Sequence, residues 1–138
     1  MKIQQLSIFL ENRPGHLSSI CKALADAGIN IETLSLADTQ QFGILRLIVQ
    51  DWEKAEKTLN QMGFVVKITE VVAVEVPNRP GGVAELLAGL DKTDINIEYM
   101  YAWSDRGIII FRFDDPDNAI TLLEKAGRSI LKKIDLFK

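Results

Sequence analysis

The tetrapeptide Asn12-Arg13-Pro14-Gly15 recurs unchanged as Asn78-Arg79-Pro80-Gly81, 66 positions later. At the same spacing, Gly28-Ile29-Asn30-Ile31-Glu32 corresponds to Asp94-Ile95-Asn96-Ile97-Glu98. From Gly43 and Gly107 onward the spacing falls to 64, so the second copy is shorter by two residues. Because a repeat period decides the architecture, the chain is predicted to hold two small tandem domains, residues 1–69 and 70–138.

The hydrophobic pattern predicts the same order of elements in each copy. Residues 3–10 alternate apolar and polar as a half-buried strand does, and residues 17–24 have the spacing of an amphipathic helix that ends at Gly28. Asp51 and Asp115 suit the N-cap of a second helix, which lies between further strands. Each copy therefore reads β-α-β-β-α-β. With right-handed crossovers this predicts the α+β class, as two tandem ferredoxin-like domains with antiparallel sheets and both helices on one face.

Composition excludes several classes of function. The net charge is −3 without a block of like charges, which argues against nucleic-acid and polybasic membrane binding. No charged leader is present, and no apolar run approaches the roughly 20 residues of a membrane span. The single cysteine, Cys21, forms no internal disulfide, which fits a reducing compartment. We therefore expect a cytoplasmic protein that does not associate with membranes.

Residues able to carry catalysis are scarce. One histidine, His16, and one cysteine, Cys21, cannot build a metal cluster, and within one helix they are wrongly spaced for a Cys–His pair. The acidic residues 114–117 fit the first turn of a helix, where negative charge is stabilising. The sequence contains neither a phosphate-binding glycine loop nor a nucleophile elbow. We expect no enzyme activity, no cofactor and no metal.

The repeated turn is the best candidate for a binding site. It lies between a predicted strand and the start of a helix, where unpaired backbone amides receive a carboxylate well. An asparagine beside it can accept from an ammonium group or donate to a carboxylate, and a free amino acid carries both groups. The alternative is that Asn12 caps the helix and Pro14-Gly15 only make the turn.

The strand, the Asn-Arg-Pro-Gly turn, the helix and the Gly-Ile-Asn-Ile-Glu segment together resemble the ACT domain, a ferredoxin-like module that commonly binds amino acids to regulate metabolism. The resemblance covers the whole chain as two copies, and the loop is most similar to the serine-binding ACT domain of phosphoglycerate dehydrogenase. It implies that Asn12 and Asn30, and in the second copy Asn78 and Asn96, bind a ligand across a domain interface. The ligand-binding histidine of that motif is replaced by Leu10 and Val76, so serine specificity does not carry over.

The resemblance implies a non-catalytic amino-acid sensor that regulates a partner such as a metabolic enzyme. The alternative is an interaction module or regulatory subunit that binds no ligand. We expect the first copy to be the better site, because Asp94 places a negative charge beside Asn96. The candidate ligand-binding residues are Asn12, Arg13, Pro14, Gly15, His16, Leu17, Asn30, Ile31, Asn78, Gly81, Gly82, Val83, Asn96 and Ile97.

The two copies differ in one strand. The second copy has Tyr99, Tyr101 and Trp103 on one face, where the first has small residues. Three aromatic rings on an exposed sheet face would contribute strongly to a contact, so the chain is expected to form a homodimer. The alternatives are that the rings cover the sheet within the chain or stack on an aromatic or apolar ligand.

Overall fold

A computed structural model of the chain describes residues 1–11, 13–38, 41–103 and 107–137. The chain separates into a first unit, Gln4–Thr69, and a second unit, Glu70–Lys138 together with Met1–Ile3. Within the second unit, the Lys2 ammonium lies 3.5 Å from the Glu70 carboxylate and 3.1 Å from that of Asp117.

The order of elements matches the predicted repeat. The first half contains β1 (Lys2–Glu11), α1 (His16–Asp26), β2 (Thr33–Asp38), β3 (Phe42–Ile48) and α2 (Trp52–Gln61). The strand β4 (Val65–Glu75) runs without a break from the first copy into the second. The second half contains α3 (Gly82–Ala88), β5 (Ile97–Trp103), β6 (Ile108–Phe113), α4 (Pro116–Lys125), β7 (Ile130–Leu131) and α5 (Lys133–Leu136). The last helix, α5, was not predicted.

In the first unit the strand order is β2-β3-β1-β4, and the strands β1 and β2 both run antiparallel to β3. Strand residues such as Leu6 and Leu47 form one buried cluster with Ile20 and Leu24 of α1 and with Leu59 of α2. Because residues of both helices share this cluster, both helices pack on the same face of the sheet.

The second unit repeats this plan with the order β7-β4-β6-β5. Its core contains Phe111 and Phe113, whose rings stack at 5.3 Å, packed with Leu86 of α3 and Leu123 of α4. The predicted fold, a tandem of ferredoxin-like domains with antiparallel sheets, is therefore confirmed.

The helix starts predicted from Asp51 and Asp115 are also confirmed. Each carboxylate accepts a hydrogen bond of 3.2 Å from a backbone amide in the first turn of its helix. Such a cap satisfies one of the otherwise unpaired amides of a helix and stabilises it by about 1 kcal/mol. In contrast, α3 ends earlier than its counterpart α1, with Gly89 as the C-cap.

The prediction of an exposed aromatic face is wrong for Trp103. Its side chain is only 3% exposed, and its ring packs edge-on against Phe137 at a centroid distance of 5.9 Å. The residue Phe137 directly follows α5, the element that the sequence did not predict. Tyr99 and Tyr101 are half-buried. The C-terminal segment of the same unit therefore covers part of the face that we expected to drive dimerisation.

Candidate functional site

The described part of the repeated turn, from the arginine to the glycine, has the same backbone features in both units. The amide of each loop arginine donates to the carbonyl oxygen two residues earlier, at 2.8 Å for Arg13 and 2.9 Å for Arg79. Gly15 and Gly81 have φ values of 94° and 86°, a left-handed conformation that glycine adopts without strain. Each glycine is the N-cap of a helix that begins on the next residue.

The structure describes the loop asparagine of the second copy only. Asn12 lies outside the described residues. Asn78 is exposed, and the N-cap of α3 is Gly81, without a side-chain capping hydrogen bond. The alternative in which the loop asparagine only caps the helix therefore does not apply to Asn78.

In the first loop, the Arg13 side chain contacts the side chains of His16 and Glu11. The Arg13 Nε donates to His16 Nε2 at 2.6 Å and lies 3.3 Å from a carboxylate oxygen of Glu11. The His16 ring also lies edge-on to Phe64 at 6.4 Å. His16 is thus a polar residue in the first turn of α1 that contacts Arg13.

In the second loop, Arg79 forms two hydrogen bonds of 3.0 Å with the two carboxylate oxygens of Glu85. The hydrogen bond and charge of Arg79 hold the pKa of Glu85 below its ordinary value, and the charge of Arg128 adds to this. Glu85 lies in the first turn of α3, where a carboxylate suits the helix dipole. The helix end that we expected to receive a ligand carboxylate therefore already has a negative charge beside it.

A cleft of about 490 Å³ opens beside Asn78 in the second unit. We call it the polar cleft, and it is lined by Glu75, Val76, Pro77, Asn78, Gly107, Gly127, Arg128 and Ser129. The amide of Glu75 donates to the carbonyl oxygen of Ser129 at 2.9 Å, which joins the end of β4 to the turn before β7. The residues that line this cleft thus include a glutamate, an arginine and an asparagine, and its volume is that of a small-molecule site.

The first unit has a cleft of about 380 Å³ at the corresponding place. We call it the aromatic cleft, and it is lined by Phe9, Leu10, Glu11, His16, Phe42, Met62, Gly63, Phe64 and Val65. By the repeat spacing, Phe9 corresponds to Glu75, and Phe64 corresponds to Arg128. The two clefts share a position in the fold and differ in chemistry.

The second predicted asparagine of each copy lies far from the loop. In the second unit, β4 ends at Glu75 opposite the first residue of β6, and β5 begins at Ile97 opposite the last residue of β6. With about 3.4 Å per residue, the six residues of β6 separate these ends by roughly 17 Å. The loop of Asn78 and the exposed Asn96 therefore lie near opposite ends of the strands of one sheet. A single amino acid cannot contact both within one unit.

The remaining predicted residues have mainly structural surroundings. The side-chain amide of Asn30 donates a hydrogen bond of 3.1 Å to the Glu32 carboxylate, whereas the backbone amide of Asn96 donates one of 2.9 Å to the Asp114 carboxylate. Ile31 and Ile97 pack against the two cores. Further exposed or half-buried residues at the loops are Pro14, Leu17 and Val83, whereas Gly82 is buried.

Sequence reasoning missed Glu75, Arg128 and Ser129 because no motif contains them. The signal that could have found them is the comparison of the copies, since charged residues replace Phe9 and Phe64 at equivalent positions.

No group of three or more His, Cys, Asp and Glu side chains in the described ranges is arranged to hold a metal ion. No helix in those ranges has the length and apolar character needed to cross a membrane.

The family model described as an ACT domain pair matches residues 1–137. The chain belongs to the ACT domain pair family. The resemblance drawn from the repeated turn is thus confirmed over both copies. ACT domains are regulatory ligand-binding domains.

Solved structures agree with this assignment. A Bacteroides thetaiotaomicron protein of the same architecture is 39% identical, with a TM-score of 0.93 over 100% of this chain and 97% of that one. The ligand-free regulatory subunit of aspartate kinase from Thermus thermophilus has a TM-score of 0.66 at 16% identity, covering 98% of this chain and 93% of that one. At that identity the second likeness shows the fold alone.

One curated relative is the acetolactate synthase small subunit of Buchnera aphidicola subsp. Baizongia pistaciae, 34% identical over 77 residues. The match covers 51% of this ACT pair and 48% of the relative, so the chain spans about half the length of that protein.

Proposed function

We propose that this ACT pair is a non-catalytic regulatory protein that binds a free amino acid in the polar cleft of its second unit. The observation that carries the proposal is the placement of opposite charges, Glu75 and Arg128, around Asn78 in one cleft. A free amino acid is a zwitterion, and these groups match its two charges.

Each residue has a distinct role in this arrangement. The guanidinium of Arg128 offers a planar pair of donors to the ligand carboxylate. The carboxylate of Glu75 and the amide oxygen of Asn78 receive the ammonium group. Arg128 is half-buried, so its charge is less screened than that of a fully exposed arginine. The sequence favoured the first copy as the binding site, whereas this proposal places the site in the second copy. It also assigns the ligand carboxylate to Arg128 instead of the backbone amides at the start of the helix.

The family supports a regulatory role. ACT domains are regulatory ligand-binding domains, and the relatives named above include subunits of acetolactate synthase and aspartate kinase. We propose that ligand binding shifts the conformational equilibrium of this protein and thereby alters a metabolic enzyme bound to it.

We also propose a homodimer that forms through the exposed edge strand β2. Leu34 and Leu36 are 51% and 49% exposed, although they pair in register with the buried core residues Leu47 and Leu45. An uncovered strand edge with apolar side chains favours pairing with a second copy of the chain. The variant Leu36→Lys is expected to be monomeric by light scattering, whereas the parent is expected to have twice the 15.4 kDa chain mass. A monomeric parent protein contradicts the dimer.

Calorimetric titration with the twenty amino acids tests the binding site. Replacing a charged hydrogen-bond partner costs about 1.5–3 kcal/mol, so Arg128→Gln should weaken binding by about tenfold to a hundredfold. The control Lys57→Gln removes the same charge from an exposed position in the first unit and should leave affinity unchanged. Unchanged affinity in Arg128→Gln refutes the site.

The asparagines give a second, matched comparison. Asn78→Ala should weaken binding, whereas Asn12→Ala, its equivalent in the repeat, should not. If Asn12→Ala abolishes binding and Asn78→Ala does not, the first copy holds the ligand.

A ligand-free interaction module is the second candidate, and the aromatic cleft favours it. Phe9, Phe42, Met62 and Val65 around that cleft are 45% to 65% exposed. Apolar residues clustered in this way mark protein contact sites. If none of the twenty amino acids produces a heat of binding in calorimetry or a shift in melting temperature, the ligand-free interaction module is favoured.

A further inference from the structure

A second, smaller pocket borders the polar cleft. Its volume is about 160 Å³, and it shares Val76, Pro77, Asn78 and Gly107 with the polar cleft. We call this second pocket the apolar pocket, and its remaining lining residues are Val83, Ala102, Ile108 and Ile109. Asn78 therefore stands where a space lined by charges meets a space lined by hydrocarbon.

The chemistry of the apolar pocket is uniform. None of its described lining residues carries a charge, and all four residues that it does not share are aliphatic. Its 160 Å³ correspond to about five water-sized groups at about 30 Å³ each. A side chain of three or four carbon atoms fits this space.

The repeat shows how this pocket is formed. Ala102 corresponds to Leu36 in the first unit, at the spacing of 66. There, the Leu36 Cδ1 lies 3.4 Å from the position that a Cβ on Gly43 would occupy, and Leu10 Cγ lies 3.6 Å from it. The leucine thus reaches into the space beside Leu10 that its small counterpart leaves open in the second unit.

We propose that the apolar pocket selects an amino acid with a branched aliphatic side chain. This inference rests on the proposed function, because the charged groups of the ligand occupy the polar cleft beside Asn78. The aliphatic side chain passes Asn78 and packs against Val83 and Ile109. Ala102 is the residue that leaves room for it, and it determines specificity without touching the charged groups.

Titration of the full chain with leucine, isoleucine, valine, alanine, serine, aspartate and phenylalanine tests the inference. Each buried carbon should strengthen binding about fourfold, so leucine should bind about fiftyfold more tightly than alanine. Amino acids with polar side chains of similar size should bind more weakly than alanine, because the apolar pocket offers these side chains no hydrogen-bond partner.

The variant Ala102→Leu reproduces the residue of the first unit and closes the pocket. It should reduce the affinity for leucine by at least about tenfold and change the affinity for alanine by less than about twofold. Ala102→Ser keeps the volume and should retain most of the leucine affinity. An unchanged melting temperature shows that the variants fold.

The outcomes separate the two proposals. If serine or aspartate binds most tightly and the binding still depends on Arg128, the aliphatic pocket is refuted and the proposed function stands. Unchanged leucine affinity in Ala102→Leu likewise refutes the pocket alone. If no amino acid binds the parent protein, both proposals fail.

Discussion

Substitution of Gly82 by alanine should destabilise the second unit, although the new side chain is a single methyl group. Gly82 is buried at the start of α3. A Cβ at this position would overlap the carbonyl oxygen of Pro77 and lie 3.1 Å from its carbonyl carbon. Backbone atoms cannot rotate away as a flexible side chain can, so the turn itself must move.

The structure gives the size of the effect. The Pro77 carbonyl oxygen accepts a hydrogen bond of 2.9 Å from the amide of Arg79, and displacing it weakens that bond by about 1 kcal/mol. Overpacking of a well-packed position costs a further 1–3 kcal/mol or so. Gly82→Ala should therefore lower the free energy of unfolding by about 2–4 kcal/mol.

Urea denaturation followed by circular dichroism measures this change. The control is Gly81→Ala, because its φ of 86° is strained for alanine but no heavy atom lies within 4 Å of the added Cβ. That strain alone costs about 1–2 kcal/mol. A Gly82→Ala protein as stable as the parent, or more stable than Gly81→Ala, refutes the steric argument. The displaced turn should also weaken amino-acid binding, since Pro77 and Asn78 line the polar cleft.

Two further predictions concern the second unit. Because the pKa of Glu85 is depressed in the folded protein, this carboxylate contributes fully to stability above its ordinary pKa of 4.5, and the contribution is lost as the pH falls through the lower folded value. Denaturation experiments between pH 6 and pH 3 should show this loss of stability. The variants Glu85→Gln and Arg79→Gln should not show it. An equal acid dependence in these variants contradicts the assignment. Phe137→Ala should expose Trp103 and shift its fluorescence emission to longer wavelength. The emission is measured in a protein whose other tryptophan is replaced by phenylalanine, and an unshifted spectrum contradicts the conclusion that Phe137 shields Trp103 from solvent.

Local patterns predicted most of the fold because short-range physics decides them. The alternation in β1, the capping aspartates Asp51 and Asp115, and the turn glycines each depend on neighbours within about four residues. The exposure of Trp103 could not be predicted in this way, because its cover, Phe137, is 34 positions away in the sequence. The candidate site was predicted in part for the same reason. The loop with Asn78 is a local motif, whereas Arg128 belongs to no motif.

The sequence by itself determined the duplication, the order of elements and the repeated turn, since identical residues at a fixed spacing impose the same local structure twice. Only the tertiary structure decided what surrounds the turn. Pairing of β4 with β7 brings Glu75 and Ser129 into hydrogen-bond contact and places Arg128 at the same cleft as Asn78. At the equivalent positions of the first unit, the same pairing plan brings phenylalanines together instead. Two copies of one motif therefore have different chemistry around them, because the residues that line the clefts come from distant segments whose side chains differ between the copies.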